Sequence, residues 1–140
     1  MNQAILSKIL GFDPGRDKCG IAITDKKGNI YYHQVIESSQ AILTINTLIK
    51  QFSVNLLVLG NQTTSKQWRK RLDNELLMSI PIELIDERNS TLEARDRYWK
   101  MYPPQGLMRL LPQGMRNPPR PIDDIVAILL IERYFKSINN

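Results

Sequence analysis

Apolar residues recur along this chain with more than one period, and the changes of period divide it into elements. Ile5 to Asp13, ending ILGFD, reads as a strand. The Asp13-Pro14-Gly15 triplet closes it with a turn, because proline presets φ and glycine turns freely. Gly20 to Asp25 reads as a second strand and Ile30 to Ile36 as a third, with Lys26-Lys27-Gly28-Asn29 as the hairpin turn between them. The period then becomes helical. Ala41, Ile42, Ile45, Leu48 and Ile49 share one face after a cap at Ser38 or Ser39. Val54 to Leu59 is a continuous apolar run of buried-strand type, ended by Gly60. Trp68, Leu72 and Leu76 mark a face of the next helix, capped from Thr63-Thr64-Ser65, while Lys66, Arg69, Lys70 and Arg71 take its other face. Pro81 starts a strand over Ile82 to Asp86, and Ser90 with Glu93 forms a capping-box pattern for a helix to about Lys100. Ile122 to Phe135 is apolar nearly all round, which predicts a helix packed deeply on a sheet, with Pro121 as its first residue.

The order of elements predicts an α/β fold. An antiparallel three-stranded meander is followed by two parallel strands reached through helical crossovers, giving a mixed five-stranded sheet with helices on both faces. One domain over residues 1–140 suits this length. The segment from Tyr102 to Pro121 stands apart: it holds six of the eight prolines and no acidic residue. It predicts a long extended loop, functional or disordered, with a short helical turn near Leu107 to Leu111, its leucines tucked over the core.

Composition narrows the chemistry. No apolar run has the length of a membrane span, and the N-terminus lacks a signal-peptide pattern, so a cytoplasmic protein is expected. One cysteine, Cys19, and one histidine, His33, exclude an intrachain disulfide and argue against a zinc site; Cys19 reads as a small, semi-buried hydrophobe rather than a nucleophile. The net charge is +5, and the stretch from Arg88 to Arg120 carries seven basic residues against two acidic ones, so all of the excess lies there. That distribution fits either a solvated surface or a phosphate-binding one. Trp99 and Tyr102, beside it, are candidate base-stacking residues.

Acidic residues fall at three strategic places: Asp13 ends the first strand, Asp86 and Glu87 end the last, and Asp123 and Asp124 open the final helix. Ligand sites in open α/β sheets gather at the carboxyl ends of strands. Carboxylates crowded together repel one another and persist around a cation; oxygen donors suit Mg²⁺ or Mn²⁺. Two such ions support phosphodiester hydrolysis. Each residue also has a structural explanation: Asp13 as a first turn residue, Asp123 and Asp124 as partners of the helix dipole, Asp86 and Glu87 as a strand-end turn.

Three segments resemble the YqgF branch of the RuvC-type, RNase H-like nucleases: Gly11 to Asp25 (GFDPGRDKCGIAITD), Ile85 to Ala94 (IDERNSTLEA) and Ile122 to Phe135 (IDDIVAILLIERYF). The resemblance implies an RNase H-like sheet and a metal-dependent endonuclease. Its metal-binding catalytic acids fall on Asp13, Glu87 and Asp123, with Asp124 as a possible further acid in a RuvC-style register. The cofactor implied is a pair of Mg²⁺ or Mn²⁺ ions. Nucleic-acid contacts are expected at Arg16, Lys18, Arg88, Thr91, Arg116 and Arg120. The substrate implied is the 5′ end of precursor small-subunit rRNA, with four-way DNA junctions as the alternative. A non-catalytic nucleic-acid or ribosome-assembly module is a second alternative. An actin-like ATPase also begins with a D-x-G hairpin but needs two such domains. A monomer and a homodimer both remain open.

Overall fold

The computed structural model describes residues 7–61 and 64–139. Three strands open it: β1 (Lys8–Asp13), β2 (Lys18–Asp25) and β3 (Ile30–Glu37). A 3₁₀ turn (Ser38–Gln40) leads into α1 (Ala41–Phe52), then β4 (Val54–Gly60), α2 (Ser65–Glu75), β5 (Ile82–Ile85) and α3 (Ser90–Met101). Two short 3₁₀ turns, Gly106–Leu110 and Gln113–Met115, punctuate the proline-rich segment before α4 (Asp123–Ile138). The strands form one sheet in the order β3-β2-β1-β4-β5. The first three pair antiparallel, whereas β1–β4 and β4–β5 are parallel. This is the expected mixed sheet.

Alternation in the strands sends side chains to two cores. Leu10, Phe12, Ile21, Ile23, Leu57 and Leu59 meet α1 and α2 on one face. Trp68 lies there, edge-on to Phe12 at 5.1 Å, as core rather than as a stacking platform. On the other face Ile9, Ala22 and Val58 meet α3 and α4, whose Ile125 to Ile131 are all buried. Arg97 clamps Glu132 with two 2.9 Å hydrogen bonds and so ties α3 to α4.

Several local expectations give way to longer-range bonds. Ser38 caps no α-helix; its hydroxyl donates to the Gly15 carbonyl at 2.8 Å and contacts the buried Cys19 thiol. The capping box does not form either. Ser90 is already helical, left-handed Asn89 precedes it, and Glu93 pairs with Arg133 at 3.1 Å instead. Thr64 makes no side-chain cap; Thr63, like Ile5 and Leu6 at the start of the expected first strand, lies outside the described residues. The final helix begins at Asp123, with Ile122 rather than Pro121 at its entrance: the Ile122 carbonyl receives the first helical N–H bonds.

The proline-rich segment corrects one expectation clearly. Leu107 and Leu110 are about four-fifths exposed, not tucked over the core. The segment is held by polar bonds instead. Arg116 donates to the carbonyls of Met108, Leu111 and Arg109, while Arg95 and Trp99 both donate to the Arg116 carbonyl. Among the described residues no helix is long and apolar enough to cross a membrane.

Candidate active site

The parallel strands β1, β4 and β5 all end at the same edge of the sheet, and the acidic residues collect there. Asp13 is the last residue of β1, a strand flanked on both sides, and it pairs with Gly20 of β2. Its side chain points to the α4 face and is only 4% exposed. Glu87 arrives from the turn after β5. That turn is fixed by the Ser90 N–H on the Glu87 carbonyl at 2.9 Å and the Asn61 N–H on the Ile85 carbonyl at 2.9 Å. Arg133 of α4 adds a 2.7 Å bond to the Asp86 carbonyl, one residue from Glu87. Asp123 arrives as the first residue of α4.

Two glycines make the convergence possible. A Cβ on Gly60 would collide with the Glu87 carboxyl, and a Cβ on Gly20 would collide with the Asp123 backbone. The missing side chains let Glu87 and the mouth of α4 approach the sheet around Asp13.

Asp13 hydrogen-bonds both Glu87 and Asp123. Burial, first, and then those two acidic neighbours push its carboxyl up to about 9. Burial also raises the Asp123 carboxyl, helped by the Asp124 charge and opposed by its own backbone N–H and the Asp13 bond. Both Glu87 carboxyl oxygens are shielded from solvent. Among the described residues no three acidic, histidine or cysteine side chains stand in a ready-made metal-binding arrangement. Asp13 instead hydrogen-bonds its two acidic neighbours. The chemistry of the three carboxyls, oxygen donors against a buried centre, nevertheless fits a hard divalent cation.

The neighbouring acids point elsewhere. Asp86 is exposed and accepts the Arg88 N–H at 2.9 Å, a strand-end turn. Asp124 is 2% exposed and faces β3: it holds Arg120 at 3.0 and 3.3 Å and His33 at 2.6 Å. Of the expected nucleic-acid contacts, Arg16 lies on the exposed β1–β2 turn after Asp13, Lys18 is the exposed first residue of β2, and Arg88 and Thr91 are exposed just after Glu87. Arg116 is wrapped in loop carbonyls, and Arg120 is tied to Asp124 through both of its Nη atoms. Trp99 is half-buried against the loop, whereas Tyr102 is exposed. Sequence reasoning missed Arg133, which fixes the turn carrying Glu87, and His33, whose partner is 91 positions away. No local pattern signals either contact.

Known proteins resemble this chain in sequence and in fold. The family model described as RuvX, Holliday junction resolvase, matches residues 7–137. A Coxiella burnetii protein, named as a candidate pre-16S rRNA nuclease, is 23% identical over 99% of this chain and 98% of its own length. A Thermoanaerobacter pseudethanolicus protein of the same name is 27% identical over 95% of this chain and 99% of its own. In three dimensions the chain resembles Thermus thermophilus RuvC in complex with a Holliday junction substrate. The TM-score is 0.52 at 13% identity, covering 94% of this chain and 96% of that one. A second T. thermophilus RuvC structure gives a TM-score of 0.54, also at 13% identity, over 95% and 97% of the two chains. These likenesses identify the sheet and its helices as RNase H-like, and the family match extends over almost the whole chain. The chain belongs to the RuvX, or YqgF-type, family of nucleases.

Proposed function

We propose that this protein is a cytoplasmic, divalent-metal-dependent endonuclease, acting as one domain on the 5′ end of precursor small-subunit rRNA. The observation that carries this reading is the Asp13 carboxyl. It is buried, hydrogen-bonded to two further acids from separate elements, and pushed up to about 9. A stabilising site would not bring three acids together in the interior; losing Asp13's proton turns two hydrogen bonds into two repulsions that only a cation relieves. Asp13, Glu87 and Asp123 would hold Mg²⁺ or Mn²⁺, as two ions. Bound there, such ions activate water and stabilise the leaving oxygen. The chain's own contribution is to hold the donors at one sheet edge, shield them from bulk water and surrender the Asp13 proton. Arg16, Lys18, Arg88 and Thr91 stand around this edge where a phosphate backbone would pass.

The names of the curated relatives favour RNA as substrate, and the family's description favours a four-way DNA junction. A cleavage assay with Mg²⁺ or Mn²⁺, offering a precursor rRNA fragment and a synthetic junction side by side, separates them. The expected result is cleavage of the RNA, abolished in Asp13→Asn. Cleavage confined to the junction would reassign the substrate, and full activity in Asp13→Asn would overturn the site.

A further inference from the structure

Beside the acid site, across β2 from Asp13, lies a cavity of about 400 Å³ lined by Lys18, His33, Tyr102, Arg120 and Asp124, among others. Both Asp124 oxygens are engaged there, one by Arg120 Nη1 and the other by Arg120 Nη2 and His33 Nδ1. The carboxylate therefore orients its partners and leaves cations to line the space. Arg120 is further steadied over the rings of Tyr98 and Tyr102, at 5.4 and 5.9 Å. Lys18 pairs with Glu37, an exposed rim contact that a phosphate can replace at little cost.

His33 supplies a different group. With Nδ1 held 2.6 Å from Asp124, the ring presents Nε2 to the cavity as its free hydrogen-bonding atom for a ligand hydroxyl. Its neighbour is the Tyr102 hydroxyl at 3.4 Å, a long contact that a better donor would displace. A ring nitrogen set among cations, beside an exposed aromatic ring, matches a phosphate with a ribose hydroxyl, which can donate or accept, next to it. The register gives the spacing. Asp13 pairs with Gly20, Gly20 with Val35, and His33 lies two residues along β3. Two strand spacings and two residues separate the Cα atoms of His33 and Asp13 by roughly 12 Å, a nucleotide or two along an extended strand.

We infer that this cavity holds one ribonucleotide of the substrate strand next to the cut, its phosphate on Lys18 and Arg120 and its 2′-hydroxyl on His33 Nε2. The inference rests on the nuclease reading above and deepens it, since the 2′-hydroxyl is the group by which a protein tells RNA from DNA.

Binding tests it without cleavage. In an Asp13→Asn background with chelator, the anisotropy of a labelled single-stranded RNA is compared with that of DNA of the same sequence. RNA should bind more tightly by roughly three- to ten-fold, the worth of one hydrogen bond. His33→Ala should erase that preference and leave DNA affinity unchanged, whereas Tyr102→Ala, at an exposed position that cannot unfold the core, should weaken both. Equal weakening of RNA and DNA by His33→Ala would overturn the ribose assignment, and no effect of either variant would overturn the cavity as a subsite. Cleavage by the wild type is scored separately. An RNA preference that persists without any cleavage sinks the nuclease reading alone; cleavage with no His33-dependent preference sinks the subsite alone.

Discussion

Replacing Asp13 by asparagine should stabilise this protein in the absence of metal, although it removes the centre of the proposed active site. The Asp13 carboxyl sits at about 9 in the fold against an ordinary value of 3.8. The folded state therefore keeps a proton that the unfolded chain releases. Stability from this group is complete below about pH 4 and is lost as pH rises toward 9. Each unit costs about 1.4 kcal/mol, so at pH 7 the penalty approaches ~4 kcal/mol. Glu87 and Asp123 share the same repulsion, so Asp13→Asn should recover about 2–4 kcal/mol there, a rise in Tm of roughly 10 °C. Asparagine keeps a donor for the neighbouring carboxylates. The assay is a set of thermal melts in chelator from pH 4.5 to 8, on wild type and variant. The gain should grow with pH and vanish near pH 4. Adding Mn²⁺ should raise the wild-type Tm more than that of the variant. A variant that melts at or below the wild type at pH 7, or a gain independent of pH, would refute the electrostatic reasoning.

Three further outcomes follow from the packing. Gly60→Ala should displace the Glu87 carboxyl rather than any backbone, so cleavage should fall by at least ten-fold while the urea midpoint shifts little. Gly20→Ala meets the Asp123 backbone instead and should cost about 1–3 kcal/mol in chemical denaturation, as overpacking does. Asp25→Ala should loosen the β2–β3 hairpin by about 1–3 kcal/mol, read from denaturation midpoints. Burial alone would raise the Asp25 carboxyl, but bonds from Asn29, Tyr31 and Lys27 hold it down at about 2. Its contribution is present above about pH 4 and fades as pH falls through 2, so wild type and Asp25→Ala should converge in acid.

Most of the fold was legible because local periodicity is a consequence of which face is buried. The apolar β1, β2 and β4, buried on both faces, and the all-round apolar α4 each describe a burial environment, and those environments decide the layers. Helix entrances were less legible. Ser38, Ser90 and Glu93 have capping chemistry, but Ser38 and Glu93 found partners distant in sequence, and no local rule weighs that competition. The proline-rich segment escaped for a related reason: its order comes from Arg116 and Arg95 bonding to carbonyls, a pattern with no hydrophobic period.

The acid cluster divides the same way. The sequence by itself determined that acids stand at the ends of β1 and β5 and at the start of α4, because those positions are set by element boundaries. The spacing of residues could not determine which acid of each adjacent pair turns toward Asp13. Only the tertiary structure decided that. Successive residues on a helix diverge by about 100°, so once α4 is docked through Ile125 to Ile131, Asp123 faces Asp13 and Asp124 faces His33 and Arg120. After β5, Asp86 is taken by the Arg88 N–H and Glu87 fills the space that Gly60 leaves. Rotation of a docked helix and room beside a glycine are properties of packed neighbours, and neither is written in the spacing of residues along the chain.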